Sequence, residues 1–167
     1  MLAFIILALG IFGRLVFHAP NFTPVVALAL FGGVYLKKKY ALIVPVALMM
    51  ITDMMIGLHD IILFTWGSLL LTAAIGLWLR HNRRPAFMAG AGLLSAVLFF
   101  AITNFGAWLV MYPHTWEGFL SCYVAAISFF RNTLLSTFVF GFILFGLYET
   151  TAASVKNTRL ANVFLNT

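Results

Sequence analysis

The chain is a succession of apolar runs separated by short polar breaks, and the breaks set the expected elements. Met1 to Phe17 is the first run. It lacks the basic start of a secretory signal, and Arg14 stands where a small-residue cleavage site would be, so it reads as a retained helix. The connector His18-Ala19-Pro20-Asn21-Phe22-Thr23-Pro24 follows, its two prolines disfavouring helix at the residues before them. Pro24 to Leu36 is a second helix of only about 20 Å, too short to cross a ~30 Å hydrocarbon core alone. It completes a crossing only if the connector is sunk into protein, because irregular backbone cannot face lipid. Lys37-Lys38-Lys39 ends it, Tyr40 to Ile56 forms a third helix, Gly57-Leu58-His59-Asp60 turns the chain, and Ile61 to Leu79 forms a fourth. After Arg80-His81-Asn82-Arg83-Arg84-Pro85 comes a fifth helix, Ala86 to Val110. Trp116 to Tyr148 would make a helix of about 50 Å, more than one crossing needs. It is expected to divide into a short interfacial or re-entrant helix, Trp116 to Ile127, and a sixth spanning helix, Phe129 to Tyr148.

Composition supports this reading. With 63% hydrophobic and 8% charged residues and a mean hydropathy of +1.07, the chain is too apolar for a soluble globular domain. Six spans of roughly 20 residues use about 120 of its 167 positions. The fold class is therefore an all-α integral membrane protein, a single six-helix domain over residues 1–149 with a short polar, flexible tail over 150–167. Ten Lys and Arg against four acids would suggest nucleic acid for a soluble protein. In this topology Lys37, Lys38, Lys39, Arg80, Arg83, Arg84, Lys156 and Arg159 fall on one side and the opposite loops hold no Lys or Arg. That bias places both termini in the cytoplasm and leaves no expected nucleic-acid partner.

The remaining polar residues gather toward the outer half. Asp53 lies within a helix, where an unpaired charge costs about 2.5 to 3.5 kcal/mol even on gentle scales. Arg14 and Arg131 are the available partners, through a charge-assisted bond. Such a pair either locks the helices or lines a ligand site. Asn21 and Asn104 are candidate polar anchors, Trp108 a stacking surface one turn from Asn104, and Arg131 with Asn132 a further polar block. His18, His59 and His114 lie on separate outer connectors, away from the i, i+4 spacing of a helical zinc site. His59 and His114 are candidate ligand contacts, and no metal site is expected. Cys122, the single cysteine, reads as a packed thiol. No phosphate-binding loop, H-E-x-x-H or G-x-S-x-G motif is present, so no catalytic residue and no particular cofactor is assigned.

Several blocks occur in order: His18 to Gly33 (HAPNFTPVVALALFGG), Ile51-Thr52-Asp53, Thr103-Asn104-Phe105-Gly106-Ala107-Trp108 and Phe129-Phe130-Arg131-Asn132-Thr133. Together they resemble a bacterial family of small integral membrane proteins ascribed to transport. That family is distantly similar to the substrate-binding S-components of energy-coupling-factor transporters, six-helix proteins that capture vitamins or metal ions from the outer side. The resemblance implies the bacterial inner membrane, an outward cavity, a vitamin-like or anionic small molecule and a membrane protein partner. The alternative is a structural or accessory subunit of a larger membrane complex, binding lipid or pigment through the same polar residues.

Overall fold

The computed structural model describes residues 2–16 and 19–155, and among them it is all helical. The elements are α1 (Leu2–Val16), α2 (Val25–Tyr35), α3 (Lys38–Ile56), α4 (Ile62–Leu79), α5 (Pro85–Met111), α6 (Trp116–Ala125) and α7 (Ile127–Val155). Four of them, α3, α4, α5 and α7, are long and apolar enough to cross a membrane, which fits a helical membrane protein. Their outward positions are apolar as well: Met54, Leu63, Trp78, Phe142 and Leu147 are among many large exposed hydrophobics. Such a surface is stable only in lipid or under a partner.

The short α2 is the axis of the bundle. All eleven of its residues are buried, as expected for a helix apolar on every side. It packs against α1, α3, α4, α5 and α7. Its closest neighbour is α4, where Gly33 and Gly76 let the two backbones touch. A Cβ on Gly33 would lie 2.6 Å from the Gly76 Cα, a separation real atoms do not adopt.

The C-terminal end of α2 is closed by side chains. Arg80, just past α4, donates to the carbonyls of Gly33, at 2.7 Å, and Leu36. These carbonyls belong to the last turn of α2, where no further helical amide reaches them. Phe31 and Tyr35 stack into Phe145 and Tyr148 of α7. The Tyr35 hydroxyl donates to Glu149, which also lies 4.0 Å from Arg83.

At the other end of the bundle, α6 runs antiparallel along the C-terminal part of α5. Trp108 meets Phe119, the Cys122 thiol donates to the Asn104 carbonyl and the Tyr123 hydroxyl donates to the Ala101 carbonyl. Thr115 caps α6 by accepting from the Gly118 amide at 3.1 Å. The long apolar stretch does divide, but at Ala126, ahead of the expected position. Arg131-Asn132 thus lies one turn inside α7. α7 continues to Val155, with Thr150 and Ser154 returning their hydroxyls to carbonyls of the preceding turn. Residues 156–167, with Lys156 and Arg159, lie outside the described residues.

Candidate functional site

The N-terminal end of α2 is not closed by side chains. The connector before it is short and irregular, and Asn21 adopts a left-handed conformation (φ 58°), which asparagine tolerates better than most residues. Beyond the start of α2 the surrounding helices continue, and the space between them is a cavity of about 480 Å³. This lies within the ~300–1,000 Å³ of small-molecule sites. Its floor is Val25 and Val26 in the first turn of α2. Its walls are Arg14 and Met49 from α1 and α3, Thr65 from α4, Thr103, Asn104 and Ala107 from α5, and Thr133 and Ser136 from α7. Ala19, Pro20, Asn21 and His59 form its rim.

One side of the cavity is held by a buried ion pair. Arg14 donates to Asp53 Oδ1 and to Thr52 Oγ1, each at 2.6 Å, and contacts Met49 Sδ at 2.9 Å. The Trp66 indole N–H donates to the other Asp53 oxygen at 2.8 Å. Asp53 is fully buried, while Arg14 keeps partial access to the cavity. Of the two cations expected for Asp53, Arg14 is therefore the partner. Arg131 is exposed, does not line the cavity, and makes no hydrogen bond or ion pair among the described residues. His59 Nε2 stands 3.9 Å from Asp53 Oδ2, and its Nδ1 has no partner among the described residues.

The hydroxyl wall has a definite polarity. Thr65, Thr103 and Thr133 each donate to the carbonyl four residues earlier, and Ser136 donates to the Thr133 carbonyl. Asn104 donates one of its two amide N–H groups to the Phe100 carbonyl at 2.7 Å. With their protons so engaged the hydroxyls offer lone pairs to the cavity, and Asn104 keeps its carbonyl oxygen and a second N–H. Further donors come from the opposite side. The first-turn amides of α2 receive no side-chain cap from Pro24, and they carry the positive end of the helix dipole.

Of the expected site residues, the cavity gathers Arg14, Asn21, Asn104 and His59, with Asp53 directly behind Arg14. Asn132 and His114 serve local structure instead. Asn132 donates to the Pro20 carbonyl, tying α7 to the connector. His114 bonds the Leu109 carbonyl near the end of α5. Trp108 does not stack in the cavity. Its indole donates to the Pro113 carbonyl and its ring packs on Phe105, His114 and Phe119. The cavity stripe of α5 runs through Phe99, Thr103, Ala107 and Met111, and Trp108 is turned about 100° from Ala107 toward α6. Cys122 is a buried thiol whose S–H is directed at the Asn104 carbonyl. Among the described residues no group of three His, Cys, Asp or Glu could hold a metal ion. His18 lies outside the described residues.

Among the described residues, six of the seven helices line a polar cavity with a charge pair buried at its wall, which fits a small helical membrane protein carrying a polar site. The chain matches the family of unknown function DUF6580 over residues 1–160 and belongs to that family. No curated protein and no solved structure matches it.

Proposed function

We propose that this is a membrane transport protein that captures a small molecule in the cavity at the outer end of α2. In this reading the chain crosses the bacterial inner membrane six times. α1 makes one crossing, α2 completes a second with its sunken connector, and α6 is a re-entrant element beside α5. The basic end, with Lys37 to Lys39 and Arg80 to Arg84, faces the cytoplasm. Both termini share that side, and the cavity opens outward. The bacterial setting follows the sequence resemblance. The observation that carries the functional reading is the cavity itself: a bundle with a merely structural outer half would fill that volume with side chains, as the inner half does.

The arrangement of donors and acceptors narrows the ligand. Among the described residues Arg14 is the sole Lys or Arg lining the cavity, and its charge is matched by Asp53. A fully charged anion would find little net positive potential beyond the α2 dipole. The site suits a small polar molecule with an acceptor group toward Val25 and Val26 and hydroxyl or amine donors toward Thr65, Thr103, Asn104, Thr133 and Ser136. Its apolar part would lie on Phe99, Ala107 and Met111.

The test is to purify the protein in mild detergent and identify small molecules released on denaturation by mass spectrometry. Wild type is compared with Asn104→Ala and with Ala107→Phe, which fills the cavity. At least a tenfold loss of the released compound in Ala107→Phe, with unchanged thermal unfolding of the ligand-free protein, is expected. Equal retention by wild type and both folded variants contradicts the assignment.

A further inference from the structure

A second concavity lies between α5 and α7, a largely apolar groove of about 350 Å³ walled by Leu30, Met88, Gly92, Phe138, Phe142 and Phe145. Three helices line both this groove and the polar cavity, and on each the same helical face passes from one to the other. On α2 the step is from Val26 in the cavity to Leu30 in the groove, one turn on. On α7 Thr133 lines the cavity, while Thr137 and Gly141, one and two turns on, line the groove. On α5 Phe99 lines the cavity and Gly92 the groove, with Ser95 between them on that face. A short seam of small residues therefore separates the two spaces.

The seam is thin and incompletely satisfied. A Cβ on Gly92 would meet Thr137 Cγ2 and Phe138 Cε1 at 3.8 Å, ordinary contact, so glycine there leaves a gap the size of a methyl group. Thr133 and Thr137 donate their hydroxyls to carbonyls of their own helix. Ser95 is fully buried, yet its Oγ has no hydrogen-bond partner among the described residues. Burying a hydroxyl is costly unless it is paired, and a ligand passing the seam would supply the partner.

The two spaces ask for different chemistry. The cavity is walled by hydroxyls and Asn104, and the charge of Arg14 is matched by Asp53. The groove is lined mainly by apolar groups, and at its far end Glu149 is engaged by Tyr35 and Arg83. A small polar molecule would leave the groove and Ser95 unused, and a partner helix on the groove would leave Ser95 unpaired. An apolar chain with an uncharged polar head uses all three.

Resting on the capture reading above, we propose that cavity and groove are two halves of one site for a single-chain amphiphile with an uncharged, hydroxyl-bearing head. The head occupies the cavity, the oxygen linking it to the chain accepts from Ser95, and the chain passes Gly92 to lie over Gly141 and Gly146. Along α7 the groove extends from Thr137 to Glu149, about 18 Å at 1.5 Å per residue, which is room for a long acyl chain.

The experiment uses a monoacylglycerol carrying a photoreactive diazirine in its acyl chain. It is added to the protein in phosphatidylcholine nanodiscs, and cross-linked peptides are mapped by mass spectrometry. Wild type is expected to label saturably at the α5 and α7 groove segments, with unlabelled monoacylglycerol competing and an alkane of the same length not competing. Ala107→Phe, which fills the cavity, and Gly141→Phe, which fills the groove, should each lower groove labelling about tenfold. Ser95→Ala should lower it about fivefold at subsaturating probe. A Cβ on Gly141 would meet no atom within 4 Å, so that variant blocks the chain without disturbing the fold, and an unchanged thermal midpoint verifies this. Undiminished labelling in any of the three folded variants, or equal competition by the alkane, overturns the proposal. Failure of the capture reading is distinguishable, because Gly141→Phe leaves the cavity lining intact. A compound that co-purifies equally with wild type and Gly141→Phe but is lost from Ala107→Phe keeps that reading and overturns this one.

Discussion

The two ends of α2 are built on opposite principles. At the inner end glycine meets glycine across α2 and α4, aromatic rings close the space toward α7, and Arg80 satisfies the last carbonyls of the helix. At its N-terminal end the helix begins at a proline with no side-chain cap, and polar side chains from α1, α4, α5, α7 and two connectors face a void. The difference follows from length. An eleven-residue helix, about 17 Å long, cannot fill a bundle whose four span-length helices run 18 to 29 residues. Placing the shortfall entirely on one side yields one packed end and one cavity. The apolar core holds the fold at one end so that the other can remain open.

The strongest way to break this division is at the charge pair, the one place in the outer half where packing and polarity depend on each other. Asp53→Ala leaves Arg14 without its partner and the Trp66 indole without its acceptor. The expected cost is about 3 to 5 kcal/mol, read from unfolding in detergent. The double variant Arg14→Leu with Asp53→Leu, which removes both charges, should recover most of that loss. Failure to recover would mean that the pair organises the cavity wall in a way an apolar contact cannot replace.

Next in size is the inner crossing. Gly33→Leu forces a side chain into the α4 backbone at Gly76 and should cost about 3 kcal/mol, in the upper part of the overpacking range. The same thermal measurement on Ala107→Phe, which adds a larger group at the cavity, should show a far smaller change. If the two substitutions destabilise alike, the ends are not differently packed.

Much of this was legible from residue order. The helices fall within a few residues of the apolar runs because lysine triplets, prolines and glycine turns interrupt them sharply. The brevity of α2 was visible in the same way. Asp53 and Arg14 stood out because a charge inside an apolar run is costly enough to demand a partner. Trp66 was missed, although an indole N–H buried in an apolar helix also needs an acceptor, and Asp53 is the carboxylate that lies within a helix. The hydroxyl wall was not legible. A threonine that bonds its own helix looks alike whether it faces lipid, a neighbouring helix or a cavity, so Thr65, Thr103, Thr133 and Ser136 carried no signal of their own. Trp108 shows the converse limit. One turn from Asn104 is close, yet two residues at the edges of a helix stripe can face different neighbours.

The division of α2 into a packed and an open end is tested most directly by thiol accessibility in intact membranes. In a Cys122→Ala background, Thr103→Cys places a thiol on the cavity wall, and Ala29→Cys places one on the fully buried α2. A membrane-impermeant thiol reagent added from the outer side should label Thr103→Cys and leave Ala29→Cys unmodified, with both proteins unfolding at the temperature of their parent. Absence of labelling at Thr103→Cys in the folded protein, or equal labelling at the two positions, would contradict an outer cavity above a closed inner core.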